Sequence, residues 1–157
     1  MNRAEIYARA TAKLAERRSA LPTRLHAWLL TRSRGRVASR MFGTPLLVLR
    51  TVGRKSGRVR QTPVLYLEHD SGFAVVASNS GSRRPPSWWL NLQHQSECEA
   101  FISGRWQTLA ARQASESEAA ELWPRLDAAY AGYRHYREVS PRTLAVVILE
   151  RVERQEA

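Results

Sequence analysis

Cysteine and long apolar stretches are scarce in this chain of 157 residues. Cys98 is the only cysteine, so the chain can form neither an intramolecular disulfide nor a zinc site built from several thiolates. No apolar run approaches the roughly 18 residues that a membrane-spanning helix needs. Arg24 interrupts the leucines that follow Arg17 and Arg18, so the apolar centre of an export signal does not form. These absences predict a soluble, cytoplasmic domain in a reducing compartment.

Lysine is almost as scarce, and acidic residues are few in the first part of the chain. Lys13 and Lys55 are the only lysines among 25 basic residues, and the formal net charge is +11. In residues 1–60 the basic side chains are opposed only by Glu5 and Glu16, whereas the remainder is close to neutral. The planar guanidinium suits phosphate and carboxylate, although a GC-rich genome also favours arginine. The charge predicts an anionic partner: a nucleic acid, an anionic membrane or an acidic small molecule.

The length allows one domain with its own core, preceded by a basic helical extension. We assign residues 1–40 to the extension and residues 41–157 to the domain. The spacing predicts a helix over residues 3–18 and a second one that begins near Pro22. The second helix carries an apolar stripe that packs on the domain or lies on a membrane surface, and packing is the favoured interpretation. The stripe comprises Leu21, Leu25, Trp28 and Leu29.

From Pro45 onward the pattern is that of β-strands joined by tight turns. Pro63 suggests an edge or a bulge within the second strand. Strands and helices do not alternate, which argues against a doubly wound sheet and favours a small closed or split barrel. The predicted strands are 45–52, 59–68, 73–78, 97–102, 105–113 and 143–152, with a short helix at 87–93 and a helix that begins at the capping box from Ser115 to Glu118.

The turn at residues 53–57, between the first two strands, carries the strongest local signal of chemistry. Its two glycines allow a tight backbone turn with accessible N–H groups. The basic residues around it are Arg54, Lys55, Arg58 and Arg60. Such a turn binds a phosphate or phosphodiester, or it is simply a solvated hairpin tip. The glycine spacings of a Walker loop and of a dinucleotide-binding loop are absent, which disfavours mononucleotide chemistry.

Other residues give weaker signals. The four histidines show no spacing typical of metal ligands, and no serine nucleophile elbow occurs. Cys98 lies in a predicted strand, which favours a buried thiol over a nucleophile. Tyr130, Tyr133 and Tyr136 share one broad side if the helix continues that far, and they either pack in the core or face a site. The tryptophans lie on apolar faces rather than among basic residues, which argues against nucleic acid as the partner.

Three segments of the chain resemble the deazaflavin-dependent nitroreductase family, whose members use coenzyme F420. The first is residues 51–66 (TVGRKSGRVRQTPVLY), and the second combines residues 75–79 (VVASN) with residues 87–92 (SWWLNL). The third is residues 121–124 (ELWP), which lead into the three tyrosines. Together they span most of residues 45–150. The resemblance implies an α+β fold, a mainly antiparallel split β-barrel of about six strands with flanking helices.

The resemblance also implies which residues bind the coenzyme and which face the substrate. A positive cradle suits the phosphodiester and glutamate carboxylates of the coenzyme's tail. Asn79 stands where many relatives carry a lysine, Ser87 replaces a bulkier apolar residue, and the adjoining Arg83 and Arg84 can restore the charge. The implied catalytic residues are Ser78, Tyr130, Tyr133 and Tyr136. The implied cofactor-binding residues are Arg54, Lys55, Ser56, Arg60, Pro63, Ala77, Ser78, Asn79, Trp88 and Asn91, of which Asn91 helps the three cations to hold the phosphate region.

The implied function is hydride transfer from reduced F420 to a quinone-like or nitro-aromatic acceptor. That chemistry needs two flat rings to be oriented and water to be excluded. Two alternatives stay open: a barrel of the same kind that binds FMN, and a non-enzymatic module that binds a cofactor or nucleic acid. Several family members associate with membranes, so the basic extension is expected to allow peripheral contact with the inner face of the cell membrane. The sequence carries no signal for the oligomeric state.

Overall fold

The computed structural model describes residues 21–32, 40–41, 43–70 and 72–152. The helix predicted over residues 3–18 lies outside this part of the chain. Within the described part, the helices and strands follow one another as α1 (Leu21–Arg32), β1 (Arg40–Met41), β2 (Thr44–Val52), β3 (Val59–His69), β4 (Gly72–Val76), α2 (Ser87–His94), β5 (Glu97–Ile102), β6 (Arg105–Gln113), α3 (Glu116–Ala129), α4 (Gly132–Val139) and β7 (Val146–Arg151), with a short 3-10 turn at Asn79–Gly81.

Six of the described strands close into an antiparallel barrel, in the order β2-β3-β4-β7-β6-β5. The pairing of β5 with β2, which places Val48 opposite Phe101, closes the cylinder. β5 and β6 form the predicted hairpin around Ser103 and Gly104, and both residues have the positive φ that such a two-residue turn requires. The α+β split-barrel prediction is confirmed.

Alternating side chains divide the core into two clusters on opposite faces of the sheet. On β2, Leu47 and Leu49 belong to the cluster that includes the tryptophans of α2. Leu46 and Val48 belong to the cluster that includes apolar side chains of α3 and α4. Helices therefore contribute to the core on both sides of the sheet, and every residue of β4 is buried.

The capping box forms as predicted, but the helix that it begins ends before the second tyrosine. Ser115 Oγ accepts a hydrogen bond from Glu118 N at 3.2 Å, and Glu118 Oε2 accepts one from Ser115 N at 2.8 Å. Tyr130 ends α3 with extended angles of φ −147° and ψ 101°, and α4 begins at Gly132. The three tyrosines therefore lie at the end of one helix and on the next, not along a single helix.

Candidate functional site

A cavity of about 800 Å³ lies where α1, the β2–β3 turn, the first half of β3 and α2 meet. Sites for small molecules and cofactors commonly measure about 300–1,000 Å³. The helices contribute Ala27, Trp28 and Thr31 from α1, and Ser87, Trp88 and Asn91 from α2. The turn and strand contribute Gly53, Arg54, Lys55, Ser56, Val59, Arg60, Gln61 and Thr62.

The cavity occupies the split in the barrel. β3 pairs with β2 from Val59 to Leu65, but its pairing with β4 begins only at Tyr66. In the described ranges the stretch at residues 59–62 therefore has a paired strand on one side only, and α1 packs against β3. Pro63, which has no N–H to donate to a neighbouring strand, lies next to this stretch, so the predicted edge position is confirmed.

The basic turn is shaped by its own backbone. Gly53 N donates to Arg58 O at 2.8 Å, and Gly57 N donates to Gly53 O at 2.7 Å. Gly57 has φ +65°, a left-handed conformation that residues with a Cβ atom rarely adopt. Residues 54–58 are exposed, so the charged ends of their side chains are available to a ligand.

Asn91 joins this turn to α2. The side chain is buried, its Oδ1 accepts from Arg54 N at 3.1 Å and from Arg54 Nη1 at 3.4 Å, and its Nδ2 donates to Thr51 Oγ1 at 3.2 Å. The first of these bonds fixes the turn backbone at the cavity wall, and the second helps to orient the guanidinium. The structure thus gives Asn91 a supporting contact that the sequence pattern did not reveal.

The cavity is positively charged. Arg54, Lys55 and Arg60 line it, and none of the lining residues that the structure describes is acidic. Within the part of the chain that the structure describes, none of these three cations forms an ion pair, because the ion pairs there involve other basic residues. Unpaired cations around a concave surface attract phosphates and carboxylates.

Aromatic side chains face the cavity from two helices. Trp88 of α2 is buried and makes an edge contact with Trp89, with ring centroids 6.4 Å apart. Trp28 of α1 lies on the cavity wall and is 55% exposed. Gln61 and Thr62 of β3 line the same cavity and supply polar groups that can bond the edge of a ring. The arrangement can hold a flat, partly polar ring beside an anionic chain.

α1 packs on the domain, as favoured from the sequence, but through a different face. Leu25, Trp28 and Leu29 of the predicted packing stripe are 58%, 55% and 39% exposed. Ala27, which is not part of the stripe, is only 1% exposed and belongs to the core. The prediction of the packing face is therefore wrong. The small side chain lets the helix approach β3 closely, and the larger apolar residues remain at the surface.

The structure brings together six of the predicted cofactor-binding residues, namely Arg54, Lys55, Ser56, Arg60, Trp88 and Asn91. Pro63, Ala77, Ser78 and Asn79 do not line this cavity. Ala77 is fully buried, Ser78 is half-buried, and Asn79 Nδ2 donates to Ser82 Oγ at 2.6 Å and to Arg84 O at 2.8 Å. The Asn79 amide thus closes its own loop.

The three tyrosines form a buried cluster outside the cavity lining. Tyr130 contacts Tyr133 edge to face with centroids 5.1 Å apart, and the hydroxyls of Tyr130 and Tyr136 lie 3.1 Å apart. Burial raises the pKa of Tyr133 far above its usual range, and the neighbouring Tyr136 raises it further. Tyr133 is therefore a neutral phenol at physiological pH.

The residues that sequence reasoning missed are those of α1 and of the open edge of β3. Gln61 and Thr62 carried a signal, because they are polar residues next to the basic turn in an otherwise apolar strand. Ala27, Trp28 and Thr31 carried none, since their approach depends on how α1 docks.

Cys98 is buried, as predicted, and burial raises the pKa of its thiol to about 12, with smaller contributions from Glu97 and Glu99. In the described ranges no group of His, Cys, Asp and Glu side chains is arranged to hold a metal ion. No helix among the same residues has both the length and the apolar character needed to cross a bilayer.

Comparison with known proteins matches residues 22–151 to the family described as F420H(2)-dependent quinone reductase. An F420H(2)-dependent quinone reductase of Mycobacterium tuberculosis is 30% identical over 132 residues, which are 82% of this chain and 89% of the relative. A second M. tuberculosis protein, named as a candidate for the same activity, is 34% identical over 105 residues, 67% of this chain and 88% of its own. The solved structure of an F420-H2 dependent reductase, FDR-A, aligns with a TM-score of 0.61 and 28% identity, covering 68% of this chain and 94% of that chain.

Proposed function

The chain belongs to the F420H2-dependent quinone reductase family, and on that premise we propose that the cavity at the barrel split is where this oxidoreductase holds coenzyme F420. The enzyme class, the use of F420 and the reduction of quinones follow from the family. The site assignment depends on one observation: Arg54, Lys55 and Arg60, which form no ion pair with any described residue, share a cavity with the buried Trp88.

The residues present fit the coenzyme's chemistry. Its tail carries a phosphodiester and glutamate carboxylates. The turn and the strand after it offer two guanidinium groups and an ammonium, and no carboxylate among the described lining residues competes for them. Asn91 contributes by holding Arg54 at the wall, and the Ser56 hydroxyl lies on the same wall. We therefore place the anionic tail against the turn.

When bound, reduced F420 supplies a hydride to the acceptor. The work left to the protein is to orient two rings and to exclude water. Trp88 forms the buried wall of the ring side, and Trp28 lies on the cavity wall from α1. Among the described residues that line the cavity there is no Asp, Glu or His, which suits a reaction that needs no acid–base side chain from these residues.

The acceptor side is a proposal carried over from the resemblance. Ser78 is half-buried directly after β4, at the start of the loop that leads to α2, so it can approach the ring side from the neighbouring strand. The predicted contacts of Pro63, Ala77 and Asn79 with the coenzyme, and of the three tyrosines with the acceptor, stay predictions. Quinones are the acceptor class that the family supports, and nitro-aromatic reduction also stays a prediction.

The exposed face of α1 supports a proposal about where the protein encounters its quinone substrate. Leu25, Trp28 and Leu29 lie exposed on a helix whose last turn carries Arg32. Apolar side chains beside basic ones favour the surface of an anionic membrane. We propose that this face makes peripheral contact with the bilayer in which apolar quinones dissolve.

The function is tested by mixing the protein with reduced F420 and a soluble quinone and following the return of the absorbance of oxidised F420. A parallel fluorescence titration compares the affinities for F420 and FMN. We expect turnover with F420 and weaker binding of FMN. Tighter binding of FMN, with no turnover from reduced F420, would refute the assignment in favour of the FMN-binding alternative.

A further inference from the structure

The backbone of the loop at residues 77–84, between β4 and α2, is hydrogen-bonded to an arginine from a distant part of the chain. Arg142 lies between α4 and β7, and its Nε donates to Ser82 O at 3.0 Å. Its Nη2 donates to Ser78 O at 2.9 Å and to Ala77 O at 3.2 Å, with Arg84 O at 3.5 Å. One guanidinium therefore holds the first, second and sixth residues of the loop and lies near its end.

This loop needs support from outside. Asn79, Ser80 and Gly81 follow one another with φ values of 44°, 53° and 76°, and such left-handed conformations are unfavourable for residues with a Cβ atom. A Cβ atom at Gly81 would lie 2.8 Å from Tyr136 O, so the loop is also pressed against α4. Hydrogen bonds of the Asn79 amide stabilise the loop internally, and hydrogen bonds from Arg142 attach it to the segment between α4 and β7.

The acceptors of Arg142 point to positioning rather than charge pairing. All four are backbone carbonyls, and no side-chain carboxylate in the described ranges forms an ion pair with it. Partial burial lowers the pKa of its guanidinium, and no carboxylate of the described residues pairs with the charge. A planar fork that reaches several carbonyls fixes their relative positions, which a single ammonium cannot do.

We propose that Arg142 is a positioning residue for quinone reduction, which acts by fixing Ser78 through the carbonyls of the 77–84 loop. The inference deepens the proposed function, because it depends on the role that we give to Ser78. α2, which follows the loop, is anchored independently by the bonds of Asn91 and by the buried Trp88 and Trp89. Loss of Arg142 should therefore disturb the acceptor side more than the cation-lined cavity, to which the 77–84 loop contributes no lining residue.

The test compares two variants. Arg142→Met keeps a long, flexible side chain but removes the charge and the N–H donors, whereas Arg142→Lys keeps the positive charge but loses the planar guanidinium. Arg125→Met is the matched control, because Arg125 Nη2 also donates to a backbone carbonyl, Glu68 O at 2.9 Å, away from the loop. A misplaced reacting group commonly costs on the order of 10- to 100-fold in rate. We expect Arg142→Met to lower kcat/KM for a soluble quinone by about that factor. The F420 dissociation constant should stay within about threefold, Arg142→Lys should recover part of the activity, and Arg125→Met should match wild type.

Two further measurements separate this role from a merely structural one. Exchange of the amide hydrogens of Gly81 and Ser82, which are bonded within the loop, should accelerate in Arg142→Met and not in Arg125→Met. In a Ser78→Ala background, Arg142→Met should add little further loss, because both changes then remove the same contribution.

The outcomes of these tests are distinct. Unchanged amide exchange, unchanged kcat/KM, or the same loss with and without Ser78 would each overturn the inference while leaving wild-type F420-dependent activity in place. A wild-type protein that reduces no quinone with F420 would instead overturn the proposed function itself.

Discussion

Truncation of Lys55 or Arg60 to alanine is expected to weaken F420 binding about tenfold. Removing a charged hydrogen-bonding partner commonly costs about 1.5–3 kcal/mol. Both side chains are exposed at the cavity wall, so water screens them and the lower end of that range applies. A loss of about 1.4 kcal/mol corresponds to a factor of ten in the dissociation constant.

The assay is a fluorescence titration of F420 at low and at moderate salt, with Arg58→Ala as the matched control. Arg58 belongs to the same exposed turn and carries the same charge, but it does not line the cavity. Its removal should change the affinity by no more than about twofold, and the losses at Lys55 and Arg60 should shrink as salt screens the charges. Turnover at saturating F420 should recover in both variants, because the cations act on the tail rather than on the reacting carbon.

Two results would refute this reasoning. If Lys55→Ala and Arg60→Ala bind F420 as wild type does, the tail does not lie against the turn. If Arg58→Ala loses as much affinity as the other two, the turn attracts F420 only through its overall positive charge, and the specific contacts assigned to Lys55 and Arg60 are wrong.

Three other predictions concern separate parts of the molecule. Tyr133→Phe should leave the F420 affinity unchanged and lower kcat/KM for quinone about tenfold. If the variant has wild-type kinetics, the Tyr133 hydroxyl has no role in the reaction and the ring serves only to pack the core. The pKa of Glu118 is lowered to about 2, first by Arg112 and then by the backbone N–H of Ser115, so its contribution to stability is present above its ordinary pKa of 4.5 and is lost as the pH falls towards 2. Thermal unfolding against pH should therefore show a shallower acid limb in Glu118→Gln but not in Glu116→Gln. Leu25→Asp should reduce sedimentation with anionic vesicles about tenfold without changing F420 affinity, and equal sedimentation would exclude α1 as the contact.

The features predicted correctly from the sequence are those that neighbouring residues specify. The hairpin at Ser103 and Gly104 and the capping box at Ser115 are determined within a few residues, so their patterns are sufficient. The basic turn is largely local, because backbone hydrogen bonds of its two glycines close it. The antiparallel barrel follows from the order of strands and tight turns, although its closure by β2 and β5 joins segments about fifty residues apart.

The packing face of α1 was predicted wrongly, and two other features were left open, because each depends on packing or backbone conformation that the residue pattern does not fix. The stripe of Leu25, Trp28 and Leu29 is compatible with either a buried or an exposed face, and the docking of α1 on β3 through Ala27 decides between them. The spacing of the tyrosines is equally compatible with a continuous helix and with the break at Tyr130. The bonds of the Asn79 amide within its own loop could not be read from its place in the family motif, because they depend on a left-handed backbone there.

The open stretch of β3 at residues 59–62 has a consequence for solubility. A strand whose N–H and C=O groups have no neighbouring strand on one side is a template for pairing with another chain, and proteins protect such edges by covering or shortening them. Here the stretch is short, Pro63 removes a donor beside it, and α1 packs against the same strand. Deleting the segment before residue 41 would therefore expose a strand edge that can pair with another chain, and it would also remove the cavity wall that α1 forms. Self-association of such a truncated protein would reflect that edge, which makes point substitutions in α1 the cleaner way to study this helix.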